Sequence, residues 1–460
     1  MEYSSLLFIY VFFPVSLGIF YVTPKKLRES VLLLLSAVFC GLFGLRYLAL
    51  LAVYILLNYA LALAAGHLRS RKKAAAYFPF AAGVTFDIFA LFAFRTEHFS
   101  WLYSALGLHR GFFAVGISLF TLSALGYLVD VYDGRIKAEK NIVRYSLFIM
   151  MFPRLLMGPV LRYDAFTRIM DKRRTGSQEL GTGLTLFIKG LAKKVLAADT
   201  LYALYSAVHT VDKGSLSAVS AWLGAVSYIL CLYFSLSGVA DMGAGIASCF
   251  GFRFPQSFSY PMFSTRIRFF AAKWHTQVIH WFRSYITKPF ASHIKSQLIR
   301  KLIFIGAWTI AGFWYGFSAG GAVFGALMGT AIVVENRLRK SKMLKATGII
   351  YTLIIVTVLS VFLAEGSLAG SMRYLFAMIG GNRLLTDSMT LYLLRSYLVV
   401  LLISMYASTD LFRNMLVRSR RRVLRRIFSA VTPAVMLVLL ALCTALISAD
   451  GSSAVQLLRL

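Results

Sequence analysis

The chain has 460 residues, 59% of them hydrophobic, and a formal charge of +31. A soluble domain cannot hide that much apolar surface, so a soluble enzyme is excluded and an integral membrane protein is expected. In such a chain the charge is not a nucleic-acid signature, and no nucleic-acid partner is expected: Lys and Arg gather in cytoplasmic loops and against the anionic headgroups of the lipid bilayer.

Apolar runs at residues 6–20, 31–43, 47–65 and 435–446 read as membrane helices. The first has no basic region before it and no small-residue cleavage site after it, so it is expected to be a retained span. Basic loops fall at residues 24–30, 67–73, 134–144, 337–345 and 413–426. Poorly charged connections fall at 44–46, 96–112, 211–215, 365–388 and after Ile447. The two sets alternate, as the positive-inside rule demands, and this alternation predicts both termini outside. At some twenty residues per span the fold class is all-α, with about eleven transmembrane helices. No stretch between them reaches the usual size of a soluble domain, so a single membrane-embedded domain over residues 1–460 is expected.

Residues 116–134, GISLFTLSALGYLVDVYDG, carry Ser118, Thr121, Ser123, Tyr127 and Asp130 within an apolar run. Such hydroxyls usually join helices. Asp130 and Asp133 are expected near the cytoplasmic end, where an acid costs little. Residues 145–161 break the alternation, because both flanks are basic. Pro153, Gly158 and Pro159 interrupt any regular helix there, which predicts a re-entrant segment. Residues 254–288 have similar flanks and predict a second one. In KGLAKKVLAAD (189–199), Lys189, Lys193 and Lys194 fit interfacial snorkelling, with an entrance for an anionic donor as the alternative. In FSLSGVADMGAG (234–245), Ser237 and Asp241 share a helix face; they read either as a polar wall of a site or as a helix–helix hydrogen bond. Cys40, Cys231, Cys249 and Cys443 sit in apolar runs without CxxC spacing, so buried thiols are expected rather than disulfides or a zinc site.

The segment at residues 264–290 is unlike the rest. It interleaves Arg266, Arg268, Lys273, Arg283 and Lys288 with Phe269, Phe270, Trp274, Trp281 and Phe282, and it holds His275 and His280. A polar, aromatic stretch among membrane helices is costly unless it lies at the interface or lines a wet cavity. On one helix the two histidines would sit roughly 140° apart, so they should not act as a pair. No serine has nucleophile-elbow glycines and no carboxylate pair stands out. The residues alone describe a membrane protein with a polar, His-containing interior, and no reaction.

Several stretches, in order, resemble the membrane-bound O-acyltransferase family: residues 116–132, MFPRLLMGPVLRY (151–163), GLAKKVLAAD (190–199), FSLSGVADMGAGIASCFGFRFP (234–255) and KWHTQVIHWFRSYITKPF (273–290). Together they cover most of residues 110–336. Within the family the chain looks most like the alginate O-acetyltransferase branch, including its last spans and the ending SSAVQLLRL. The resemblance implies helices ringing a central funnel in a bacterial cytoplasmic membrane. It implies no bound cofactor. The co-substrate would be a cytoplasmic acyl thioester, acetyl-CoA or an acyl carrier. The acceptor would be a cell-surface polysaccharide hydroxyl, with extracytoplasmic acyl-handling proteins as partners. The family's WH pair maps onto Trp274 and His275, and its RxY follow-on onto Arg283 and Tyr285, with Ser284 where an acid is usual.

One position departs from the pattern. The family's catalytic histidine normally sits in G-φ-W-H-G (φ apolar), whereas this chain reads Gly312-Phe313-Trp314-Tyr315-Gly316. A neutral imidazole can shuttle a proton near pH 7; a phenol, with a reference pKa of about 10, is a poor base. Two expectations follow. Either the chain is an enzyme in which His275 is the base and Tyr315 orients or donates, with Trp274, Trp314, Ser237, Asp241 and Arg283 lining the funnel, or it is a catalytically silent member acting as a binding or partner subunit. A transporter would need two corresponding halves around a midplane site, and none is found.

Overall fold

The computed structural model describes residues 2–72, 74–96, 99–105, 115–338, 347–410 and 422–450. Most of the expected 96–112, 337–345 and 413–426 loops, and the ending SSAVQLLRL, lie outside these. Among the described residues every regular element is helical. In chain order they are a π-helical turn (Phe8–Phe12), α1 (Phe13–Val22), α2 (Arg28–Gly41), α3 (Leu45–Arg71), α4 (Tyr77–Arg95), α5 (Ser100–Ala105), α6 (Ile117–Tyr132), α7 (Ile142–Met150), α8 (Phe152–Leu155), α9 (Tyr163–Asp171) and α10 (Ser177–Ala192). A second π-helix (Lys193–Asp199) leads into α11 (Thr200–His209) and the long α12 (Ala218–Cys249). After an irregular stretch come α13 (Ile267–Lys273), α14 (Thr276–Phe282), α15 (Lys288–Ser292), α16 (Gln297–Gly316) and α17 (Ala319–Arg337). The last are α18 (Gly348–Glu365), α19 (Leu368–Met378), α20 (Ser388–Ala407) and α21 (Arg422–Asp450).

Among the described residues eight helices are long and apolar enough to cross a membrane: α3, α4, α12, α16, α17, α18, α20 and the Ala430–Ala449 part of α21. Phe8–Val22 and α6 are apolar but shorter. The chain is thus an all-α protein with multiple membrane-length helices. The helices cluster into two compact units, one made of Met1–Phe187 with Val239–Gln256, the other of Ile188–Gly238 with Ser257–Leu460.

In the first unit the chain breaks where the prolines and glycine predict. Helix α7 stops at Met150, α8 lasts one turn, and residues 158–162 are not helical. The freed backbone groups find partners in neighbouring elements. The Phe152 N–H donates to Ser36 Oγ of α2 at 3.1 Å, and the Tyr3 hydroxyl donates to the Phe152 carbonyl. Arg154 is buried and spans the break: Nε donates to Pro159 O at 3.0 Å, Nη1 to Phe148 O and Nη2 to Ser123 Oγ at 2.6 Å. Neither this segment nor residues 257–292 forms a helix of membrane-spanning length.

Two expectations need correction. Asp130 does not lie in a cheap, solvated position: its side chain is fully buried, and Arg135 (2.9 Å) and Arg162 (3.1 Å) neutralise it. The buried charge is tolerable because both partners are in reach. Lys194 does not snorkel. It is buried and ion-paired with Asp199, because the π-helical winding of residues 193–199 turns it inward, while Lys189 remains exposed. The four cysteines are buried free thiols, as their apolar surroundings predict.

Candidate active site

The site lies in the second unit and is built around an interruption between two short helices. Helix α13 is capped from far along the chain: Glu335, buried near the end of α17, accepts from the Ile267 and Arg268 N–H groups, both at 3.2 Å. These are orphan donors of a first helical turn, where a carboxylate also meets the positive end of the helix dipole. Helix α13 ends at Lys273 and α14 starts at Thr276. Between them the irregular strand of chain at 257–259 clamps both sides. Ser259 N–H donates to Lys273 O (3.1 Å), and Thr276 N–H donates to Ser257 O (2.8 Å).

That clamp holds His275 at φ 43°, ψ 53°, in the left-handed region. A non-glycine residue there is uncommon and marks a strained, over-determined position. His275 therefore does not lie on a helix with His280, as a simple helical projection assumes. It caps α14 from outside, and His280 is exposed on the helix itself. The His275 ring stacks on Phe258 (centroids 5.3 Å apart, planes 22°) and stands edge-on to Tyr315 (6.2 Å, 87°). It is 2% exposed, and neither ring nitrogen has a hydrogen-bond partner. Burial pushes the imidazolium down to about 4, so the ring is neutral at pH 7.

Tyr315 comes from α16. Its position is set by how closely α16 and α17 approach. A Cβ on Gly312 would lie 2.3 Å from Gly321 O, and one on Gly325 would lie 2.1 Å from Trp308 O. Small residues at such a crossing let two membrane helices meet backbone to backbone. The Trp274 indole N–H donates to the Tyr315 hydroxyl oxygen at 3.2 Å. With that lone pair occupied by a donor, the phenolic proton is available to another acceptor. Trp274 itself is fixed by stacking on Phe270 (5.4 Å, 24°) and by the edge of Phe258 (5.5 Å, 82°).

Trp274, His275 and Tyr315 open onto one cavity of about 50 Å³. At roughly 10–15 Å³ per water this holds about three to five waters, or a group of similar heavy-atom count. Its other walls are apolar side chains of α12 (Ile229, Leu232), α17 (Phe324, Met328) and α18 (Val356, Leu363). The polar exception is Ser360, whose hydroxyl donates to Thr357 O at 2.7 Å. An apolar pocket with a few convergent polar groups is the usual form of a small-molecule site.

Other residues named from the sequence lie elsewhere. Trp314 is buried one position before Tyr315, edge-on to Phe282 and Tyr315 (6.1 and 5.8 Å). Ser237 and Asp241 do sit one turn apart on α12, but Ser237 is buried without a hydrogen-bond partner, Asp241 belongs to the other unit, and neither faces this cavity. Arg283 is exposed, and its neighbour Tyr285 packs on Trp281 (5.2 Å). The sequence reading missed the clamp at 257–259, which has no local signature. It also missed Glu335, which had one: a single acid in an otherwise apolar run. Among the described residues no group of His, Cys, Asp and Glu could hold a metal ion.

A family model described as MBOAT, membrane-bound O-acyltransferase, matches residues 76–364. A probable alginate O-acetylase of Azotobacter vinelandii is 30% identical over 351 residues, 74% of this chain and 69% of that protein. That of Pseudomonas aeruginosa is 31% identical over 350 residues, covering 74% and 66%. A peptidoglycan O-acetyltransferase of Helicobacter pylori is 26% identical over 436 residues, covering 83% and 80%.

Proposed function

The chain belongs to the membrane-bound O-acyltransferase family, and from that premise we propose that it transfers a short acyl group, acetyl first, from a thioester donor to a hydroxyl of a cell-envelope polysaccharide. The similar proteins are named for acetylating alginate and peptidoglycan, which supports a glycan acceptor and an acetyl group. The small cavity, about 50 Å³, favours a short acyl chain over a fatty one. The alternating basic loops favour a donor side in the cytoplasm and an acceptor side outside, in the plasma membrane of a bacterium.

The single observation that carries an enzymatic reading is the buried, neutral, partnerless imidazole of His275 at the cavity beside a phenol whose own proton is uncommitted. In the step we propose, the acceptor hydroxyl oxygen attacks the thioester carbonyl carbon while His275 takes its proton. Tyr315 donates a hydrogen bond to the developing oxyanion. The C–S bond then breaks, and His275 returns the proton to the leaving thiolate. The products are an ester and a free thiol, with no net change in protons and no cofactor consumed.

Tyr315 also supports a second reading. It stands in Gly312-Phe313-Trp314-Tyr315-Gly316, at the position where the resemblance to the family leads one to expect a histidine. A silent member would keep the helices and the cavity and act by binding. Thioester turnover by the purified chain with acetyl-CoA separates the two. The enzyme reading expects turnover by the natural chain and its loss in His275→Ala. Turnover only in Tyr315→His would replace it with the silent reading.

A further inference from the structure

The first unit buries a carboxylate that the chemistry at His275 does not use. Asp87 lies in the middle of α4, a helix of membrane-spanning length, and is fully buried. Among the described residues no cation pairs with it: the Asn58 side-chain amide donates to Oδ1 at 2.8 Å, and Oδ2 has no hydrogen-bond partner. A carboxylate held away from water is costly unless a cation or a set of dipoles meets its charge.

Three helices surround it. α3, α4 and α6 pack against one another. The α4–α6 approach is close, since a Cβ on Gly83, one turn before Asp87, would lie 2.9 Å from a Leu128 methyl. Tyr54 and Asn58 are one turn apart on α3, as are Ser118 and Thr121 on α6. The Tyr54 ring packs on Phe86 of α4 and Phe120 of α6, with centroids 5.6 and 5.0 Å apart. Its hydroxyl is close to the Asp87 carboxyl and to the Thr121 hydroxyl, yet meets the geometry of a hydrogen bond with neither. Asn58 Oδ1, Thr121 Oγ1 and Ser118 Oγ are likewise buried without a hydrogen-bond partner among the described residues. Hydroxyls in a span usually join helices by hydrogen bonds, and these leave their oxygens uncommitted beside a bare carboxylate oxygen.

We propose that Asp87, Asn58, Tyr54 and Thr121 form a binding site for one sodium ion within this helix bundle. The donor set selects the ion. Oxygen ligands suit hard cations. One carboxylate among neutral oxygens balances one positive charge, so the occupied site is neutral where net charge is expensive. A transition metal or a tightly held divalent ion would call for grouped His, Cys, Asp and Glu, and no such group exists among the described residues. Few oxygens between closely packed helices fit sodium better than the larger potassium ion. Tyrosines lead away from the site. The Tyr145 hydroxyl, also unpartnered, is near enough to Asp87 to feel its charge. The Tyr145 ring lies 5.1 Å from that of Tyr127, whose hydroxyl accepts the Glu139 N–H at 2.8 Å in the loop before α7.

The full chain is purified without sodium into nanodiscs of phosphatidylcholine. Binding of radioactive sodium and the thermal transition are followed against sodium chloride, with choline chloride holding the ionic strength constant. The expected result is saturable binding of one ion per chain. The transition should climb with the logarithm of sodium concentration above the dissociation constant. Asp87→Asn keeps the size of the side chain and an oxygen for the Asn58 amide but removes the charge, and both responses should vanish. Thr121→Val removes one oxygen at nearly constant volume and should weaken binding about tenfold; it carries the test if Asp87→Asn does not fold. His275→Ala should bind sodium as the natural chain does, which separates this site from acyl transfer. Three results overturn the proposal. One is a natural chain with no sodium-specific response, which gives Asp87 a proton in place of a metal ion. Another is a response that survives Asp87→Asn. The third is an equal response to potassium, which rejects a site built for a small cation.

Discussion

Replacing His275 by Asn is the most informative single perturbation, because Asn tolerates the left-handed backbone that position requires and yet cannot accept a proton as imidazole does. Two magnitudes follow from the burial of the ring. For the rate, removing a general base costs about 10²- to 10⁴-fold. For pH dependence, the folded-state value of about 4 lies below the ordinary value of 6.5. The neutral, proton-accepting form therefore persists on acidification, and kcat/KM for the donor should stay flat from pH 8 to about 5 and fall only near 4. The linked effect on stability has a definite sign. The unfolded chain takes up the proton first, so the contribution of His275 is fully present above pH 6.5 and is lost as pH falls towards 4. A displacement from 6.5 to about 4 is worth about 3 kcal/mol in total, of which about 2 kcal/mol is already lost at pH 5. The assay pairs thioester turnover with thermal unfolding of natural and His275→Asn proteins in the same detergent between pH 8 and 4.5. Natural protein should lose stability relative to the variant as the medium becomes acidic. A rate limb at pH 6–7 would show an imidazole that is solvated rather than buried. A His275→Asn protein retaining more than a tenth of the rate would refute the assignment of His275 as the base.

Other consequences are simpler. Trp274→Phe keeps the stack on Phe270 but removes the N–H that holds the Tyr315 oxygen; kcat should fall roughly fivefold, about one neutral hydrogen bond, with KM for the donor little changed. Met328→Ala enlarges the cavity along α17; discrimination of acetyl against butanoyl thioesters should drop by about tenfold or more, read as the ratio of kcat/KM values. Glu335→Ala leaves the first N–H groups of α13 without their acceptor; it should cost about 1–2 kcal/mol of thermal stability, and Glu335→Gln less. Gly325→Ala drives a methyl into Trp308 O across the α16–α17 contact; a loss of at least 1–3 kcal/mol is expected, with turnover falling because Tyr315 shifts with α16.

Composition and local pattern were sufficient for the class of the protein. Apolar runs leave a chain little choice but membrane helices, since each backbone group must be satisfied within its own segment. Pro153, Gly158 and Pro159 mark the break after α7 because proline removes a donor and glycine permits the turn. Trp274, His275 and Tyr315 were named from the family resemblance rather than from pattern, and all three line one cavity. What sequence could not reach are the properties that need distant segments to meet. His275 leaves the helical path only because residues 257–259 bond the chain on both sides of it. The carboxylate that starts α13 arrives from residue 335, and the α16–α17 contact that places Tyr315 depends on glycines facing each other across two helices. Asp130 was expected near the cytoplasmic end, where an acid costs little, and Lys194 to snorkel, yet both are buried and paired, and burial and pairing are set by neighbours rather than by the residues themselves. Periodicity reports which face of an element is apolar; it carries no record of which other element that face will find, and the chemistry of this site depends on that second fact.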